Sequence, residues 1–371
     1  MASCDWLVPL HHPERARLAQ QAVRAALGRP TVSHIPADNP VSLDRTTLPL
    51  LQAMEYTAAH KADGVRYFLV LASHEDQPVG ALVDRAGSTY QVLLHARKAL
   101  YVRGSVFDGE LCPGAGPSGE ALFLVFNALV VSGVAMRDLD YNQRLHAVRT
   151  HFPARVLPST VATASHLVGG YVRALDPGLH LLAKETVPFA QLASLPAVPY
   201  PTDGLLFTPT HEGVRSGRNP HLLKWKRTNP LDVRLRVEPD GPLTMTLDDD
   251  GAAALLLDVL QARYATVAWG PRMRLLEAIV RGAHRCSRAF SGRTETFEAI
   301  VELACERRGD DTLELNYLRL RPDKGTPNNV HTVTRTLLSI EDNITDAELL
   351  ALSQRRASLR ASRRAAAASY G

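Results

Sequence analysis

Apolar and polar positions change their period several times along this chain, and each change marks an element. Residues 13–28 place Leu18, Val23, Ala26 and Leu27 on one helical face and finish at a glycine, which predicts an amphipathic helix. The proline-punctuated stretch Ile35-Pro36-Ala37-Asp38-Asn39-Pro40 predicts extended chain after it. Residues 67–72 are continuously apolar, as in a buried strand, and 81–84 and 90–94 read as its partners across turn-forming residues. Residues 122–131 and 204–207 supply further strands, and nothing repeats at a fixed period. The first part of the chain is therefore expected to be an α+β domain on antiparallel strands.

Beyond residue 231 the alternation becomes strict. Residues 232–237 and 243–247 switch polar and apolar at every step, which predicts half-buried strands. Residues 299–305 and 313–320 add two more, with a helix expected over 272–286, a set that suits a small β-barrel. A last helix opens at Thr345-Asp346-Ala347-Glu348 in the manner of a capping segment and is expected to pack back on the protein. The predicted division is 1–231, 232–345 and a tail over 346–371.

Composition changes this picture little. With 371 residues, 45% apolar and 22% charged, the chain can bury a core and form two domains. The longest nearly apolar run, 122–136, falls short of the roughly 20 residues a membrane helix needs. The N-terminus lacks the features of a secretory signal, so an intracellular protein is expected. Cys4, Cys112, Cys286 and Cys305 form no CxxC pair, and the histidines show no metal-ligand spacing along the sequence. A net charge of +4 suits a phosphate-bearing partner without requiring one. Arginines 355, 356, 360, 363 and 364 in the tail read either as an RNA contact or as a solvated helix end.

The chemistry centres on Lys61, in Lys61-Ala62-Asp63-Gly64-Val65-Arg66. An amine attacks phosphorus only when uncharged, and an ordinary lysine, with a pKa of about 10.4, is under about one thousandth neutral at pH 7. Neighbouring cations disfavour the ammonium form, and a shift of about three units corresponds to roughly 4 kcal/mol. Arg66, Lys224 and Lys226 are the expected cations, with Lys224 and Lys226 alternating on one strand face around an anion. Glu110, in Phe107-Asp108-Gly109-Glu110, and Asp203, in Asp203-Gly204-Leu205-Leu206-Phe207, are expected at tight D-G turns, one facing a sugar hydroxyl and the other a metal ion. Each piece alone also reads as ordinary surface or turn chemistry; their order carries the weight.

In that order the motifs resemble those of the covalent nucleotidyltransferase superfamily, and within it the RNA guanylyltransferases of mRNA capping, over residues 35–350. The resemblance implies a nucleotidyltransferase domain followed by an OB-fold β-barrel. It implies Lys61 as the residue that forms the lysine-GMP adduct, Asp63 within the same motif, Arg66 at the ribose, Arg85 near the nucleotide and Glu110 at the sugar. Phe126 falls where an aromatic stacks on guanine, while Asn127 stands where an aspartate is common. Lys184 is similar to a lysine that reaches the outer phosphates. Asp203 has the aspartate form typical of capping enzymes, Leu223-Lys224-Trp225-Lys226 resembles the fifth motif, and Asp232 the acid after it. Arg321-Pro322-Asp323-Lys324-Gly325-Thr326-Pro327-Asn328 resembles the last, whose Arg321, Asp323 and Lys324 meet the β and γ phosphates when a lid closes.

The implied reaction takes GTP with Mg²⁺ or Mn²⁺, Asp203 and Glu110 being the metal candidates, and passes GMP to the 5′-diphosphate end of RNA to give GpppN. An ATP-dependent polynucleotide ligase and a silent RNA-binding module of the same fold are the alternatives. A separate RNA triphosphatase and cap methyltransferase are expected partners, with no membrane, in a nucleus or a viral factory.

Overall fold

The structure is a computed structural model and describes residues 7–30, 35, 37–156, 171–237, 244–246, 297–307, 313–322 and 324–368. The helix expected over 272–286, Cys4, Cys286 and Asp323 lie outside the described residues. The chain divides into two compact units, one of Met1–Val41, Pro49–Trp225 and Leu350–Gly371, the other of Ser42–Leu48 and Lys226–Leu349.

The first unit holds two large sheets. In the larger, strand Val65–His74 lies between Gln77–Val83 and Ser105–Cys112, followed by Ala121–Val131, all antiparallel, with Leu179–Ala183 added in parallel to Ala121–Val131. The continuous apolar run expected at 67–72 is explained by burial on both faces. Tyr67, Leu69 and Leu71 enter one core with Phe107, Phe123 and Phe152, and Phe68, Val70 and Ala72 enter another with Ala19 and Val23. Those two come from helix Pro13–Ala26, whose glycine-terminated amphipathic pattern lies where periodicity predicts it. The second sheet runs in the order Val187–Pro188, Tyr56–Ala62, Thr202–Pro209, Gly217–Lys226, Asp38–Ser42.

Helix Tyr141–His151 has no counterpart in the sequence reading. Its apolar spacing is weak, and what starts it is a reciprocal cap between Asp140 and Gln143. The C-terminal helix, Asp346–Ala368, does pack back. Gln52 donates to the Leu352 carbonyl at 2.8 Å, Ser353 donates to the Phe189 carbonyl at 2.7 Å, and Arg360 pairs with Glu55 at 2.9 Å. Arg356 also donates to the Gln52 carbonyl, so two of the tail arginines hold the first unit together.

In the second unit, strands Thr244–Thr246, Asn229–Val237, Phe297–Arg307 and Leu313–Leu320 form an antiparallel sheet in that order. These four strands are the described part of the C-terminal domain for which a β-barrel is expected. Helix Val330–Asp342, capped by the Asn329 side chain and ended by Asn343 in the left-handed region, adds an element that alternation does not announce.

Candidate active site

One face of the larger sheet carries two separate apolar clusters with a polar gap between them. Reading along three neighbouring strands on that face gives Phe68 then Arg66; Val106, Asp108, Glu110 and Cys112; and Leu129, Asn127 and Leu124. Phe68, Val106 and Leu129 belong to the cluster under the N-terminal helix, and Cys112 and Leu124 to another with Ala62, Leu182 and Tyr200. Lys184, two residues past Leu182, falls on the same face. Polar residues at such inward positions require partners, and the gap supplies them to Arg66 and Asp108.

Asp108-Gly109-Glu110 is thus no turn. It lies within Ser105–Cys112, paired on both sides, and Asp203-Gly204 begins strand Thr202–Pro209 at a register irregularity. The expected turn at Asp108-Gly109 fails because Gly109 answers close approach instead, whereas Asp63-Gly64 does make a corner, between strands Tyr56–Ala62 and Val65–His74. A Cβ at Gly109 would sit 2.5 Å from Phe123 Cζ, and one at Gly64 would sit 2.4 Å from the Leu111 carbonyl oxygen. Gly64 therefore lets the Lys61-Ala62-Asp63-Gly64 corner lie against the strand that carries Glu110.

Lys61 is the penultimate residue of strand Tyr56–Ala62, opposite Gly204, and its Nζ donates to Asp203 Oδ2 at 2.9 Å. The lysine's neighbour is thus an acid, where cations were expected. Arg66 is committed elsewhere: its Nε and Nη2 donate to Asp108 at 2.9 and 2.5 Å, and Nη1 donates to the Asp38 carbonyl at 2.7 Å. Asp38 itself is buried, with its carboxyl pushed up to about 6 by desolvation.

Phe126 sits in a bulge, between the pairs Asp108–Asn127 and Gly109–Val125. The Arg66 guanidinium lies 5.6 Å and Lys184 Nζ 5.4 Å from its ring centre. Lys184 is 3% exposed, and burial pushes its amine down to about 8 against the pull of Glu110. Burial likewise raises the Glu110 carboxyl, opposed by Lys184, Lys61 and Arg66. Asn127 is buried with its Oδ1 lacking a hydrogen-bond partner.

The remaining site candidates are dispersed. Asp63 is exposed at the corner after Lys61, its N–H bonded to the Pro201 carbonyl at 2.9 Å. Arg85 is exposed in the turn after Val83, which pairs with Phe68, at the same end of the sheet as Arg66. Lys224 and Lys226 both lie on strand Gly217–Lys226, separated from the Lys61 strand by Thr202–Pro209; the unit boundary falls between Trp225 and Lys226.

Within the second unit Asp232 gathers its own cluster. It pairs with Arg321 at 2.8 Å and Lys324 at 2.6 Å, accepts from Asn328 Nδ2 at 3.2 Å, and its backbone N–H donates to Asn328 Oδ1 at 2.9 Å. Glu302 stands 3.4 Å from the same arginine. Asp232 thus faces the cations of the last motif.

Glu110 and Asp203 offer hard oxygen donors of the kind Mg²⁺ and Mn²⁺ accept. Asp203 bonds Lys61 and Glu110 lies within electrostatic reach of the same amine, so the donor set fits a metal. Spacing alone singles out neither Asp108 nor Asp38 as partners of Arg66, since the pairing depends on strand register. No helix among the described residues is long and apolar enough to cross a membrane.

Comparison with known proteins gives the family. Residues 10–228 match the family described as mRNA capping enzyme, catalytic domain, and 268–350 match mRNA capping enzyme, C-terminal domain. The mRNA-capping enzyme subunit alpha of Neurospora crassa is 27% identical, covering 89% of this chain and 87% of its own. That of Schizosaccharomyces pombe is 28% identical over 85% of this chain and 79% of its own. Among solved structures, a mycobacterial DNA ligase D complexed with ATP covers 78% of this chain and 94% of its own at 15% identity and a TM-score of 0.39. The catalytic-domain match by itself takes in more than half of the sequence, and the chain belongs to the mRNA capping enzyme family.

Proposed function

We propose that this guanylyltransferase carries GMP on Lys61. The Lys61 Nζ attacks the α-phosphorus of GTP, a P–N bond forms, the bond to the bridging oxygen breaks, and pyrophosphate leaves. A terminal phosphate oxygen of 5′-diphosphate RNA then attacks the same phosphorus, the P–N bond breaks, and GpppN RNA is released. The Lys61–Asp203 pair is the observation that carries this reading, because it fixes one amine within electrostatic reach of Glu110 and Lys184.

The ammonium of Lys61 must lose a proton before attack, and while Asp203 holds it the amine is a poor nucleophile. A divalent cation supplies positive charge and orientation for the phosphates when bound, and Asp203 and Glu110 are the residues that would hold it. Phe126 presents a half-buried ring for the guanine, flanked by Arg66 and Lys184. Lys184 reaches for the outer phosphates, which its burial favours since a dianion restores the charge balance that desolvation removes. Arg321 and Lys324 serve the β and γ phosphates by exchanging Asp232 for phosphate oxygens. An RNA triphosphatase and a cap methyltransferase act on the same transcript, and the fungal relatives support a nuclear site of action.

The test is incubation with α-labelled GTP or ATP followed by denaturing electrophoresis. Label retained on the chain with GTP and absent with ATP supports the reading. Label with ATP alone overturns it in favour of a ligase.

A further inference from the structure

We propose that His12, Glu14 and His74 form a binding site for one zinc ion, apart from the nucleotide site. One nitrogen of each histidine and one Glu14 oxygen lie within 4.8 Å of one another. Sixty-two positions separate the two histidines in sequence, so no spacing rule reveals the set; the fold assembles it.

His12 is the residue before helix Pro13–Ala26, in extended conformation, and Glu14 is in that helix's first turn. Pro13 between them fixes the backbone, so both side chains leave a rigid helix start. His74 ends strand Val65–His74, where it pairs with Gln77 across a two-residue hairpin. Both residues of that loop, Glu75 and Asp76, have positive φ, at 50° and 59°, the conformation of a tight hairpin turn. Helix and strand are joined by the shared core of Ala19 and Val23 with Val70 and Ala72, so the three ligands project from packed elements.

The side-chain geometry favours a shared cation. The two imidazoles stand 5.5 Å apart, centre to centre, at 70°. His74 Nε2 lies 3.4 Å from Glu14 Oε2, yet it is shielded from solvent and has no hydrogen-bond partner. A buried ring nitrogen without a hydrogen-bond partner, beside a carboxylate oxygen, is a polar atom that a shared cation would satisfy. Two imidazoles and a carboxylate form a common three-ligand set for Zn²⁺, which at bond lengths of about 2.0–2.1 Å needs donors roughly 3.3 Å apart. His12 and Glu14 are exposed and can rotate to close the remaining gap. Nitrogen donors disfavour Mg²⁺, separating this site from the metal of the reaction. Arg66 lies eight residues back along the same strand, roughly 26 Å at about 3.3 Å per residue. The ion would pin the N-terminal helix to the hairpin.

Untagged, chelator-stripped full-length protein is titrated with zinc chloride alone, without nucleotide, by calorimetry and by competition with a chromophoric chelator. The expected result is one zinc per chain, affinity at least about ten-fold weaker in His12→Ala and in His74→Ala, and a zinc-dependent rise in melting temperature confined to the wild type. Metal-free melts report whether each variant is folded, and His12→Gln or His74→Gln replaces the alanine variant that is not. Wild-type zinc affinity in both histidine variants, or no uptake at micromolar zinc, overturns the proposal.

Discussion

Arg66 reaches Asp108 diagonally across adjacent strands, one same-face pair removed from its own partner Glu110, through two hydrogen bonds of 2.9 and 2.5 Å in the gap between two apolar clusters. The carboxylate side chain is 2% exposed and the guanidinium 16%, so the pair is held where neither partner can be exchanged for water. Removing one partner of such a pair costs about 3–5 kcal/mol, because the other charge remains buried. Asp108→Ala is therefore expected to destabilise the protein by that amount in urea melts, and Asp108→Asn by less, since Asn keeps one acceptor. Adduct formation should fall in both, as Arg66 loses its fixed place beside Phe126. A wild-type melt for Asp108→Ala would contradict the assignment of this pair as the anchor of the site.

Gly64 occupies a position no other residue fits. A methyl carbon added there would meet the Leu111 carbonyl oxygen at 2.4 Å and Glu110 Cγ at 2.9 Å, so Gly64→Ala must push the Lys61 corner away from the Glu110 strand. Overpacking of this kind costs about 1–3 kcal/mol. The stronger expectation is functional: soluble, folded Gly64→Ala protein should form adduct at least about ten-fold more slowly, in line with the loss that a misplacement of roughly 1 Å brings. Single-turnover labelling with GTP measures it.

Lys184 links stability to pH. Its amine falls from the ordinary 10.5 to about 8 in the folded chain, so between those values the unfolded chain binds more protons. Stability contributed by this residue therefore rises with pH through that window, and below it the buried charge costs roughly 3 kcal/mol net of its attraction to Glu110. Lys184→Met is expected to be more stable than the wild type at pH 7, with the difference shrinking above about pH 8, while adduct formation slows. Denaturant melts at both pH values check the sign; a gain that grows with pH would refute it.

Much of the fold was legible because one physical rule, burial on one face or two, writes itself into alternation. Strand Val65–His74 shows its two-sided burial as an unbroken apolar run, and Asn229–Val237 shows its one-sided burial as strict alternation. Helix Tyr141–His151 was not, since its start depends on the Asp140 cap more than on periodicity; Val330–Asp342 is amphipathic enough to be legible and is missed beside the last motif's polar residues. At the site, residue order identifies Lys61 and Asp203, whose contact joins neighbouring strands. The pairing of Arg66 with Asp108, and of Arg321 and Lys324 with Asp232, depends on register between strands and could not be read from a linear sequence. The same holds for Asp108-Gly109, where the glycine serves close packing against Phe123 rather than a turn.

The central claim is that Lys61 is the nucleophile, although Lys184 is the more deeply buried amine in the same site. Protein incubated with GTP and divalent metal, digested and mapped by tandem mass spectrometry under conditions that preserve P–N bonds, separates the two directly. GMP on the peptide bearing Lys61, absent in Lys61→Ala and present in Lys184→Met, is the predicted result. GMP on Lys184, or an adduct that survives Lys61→Ala, would contradict it.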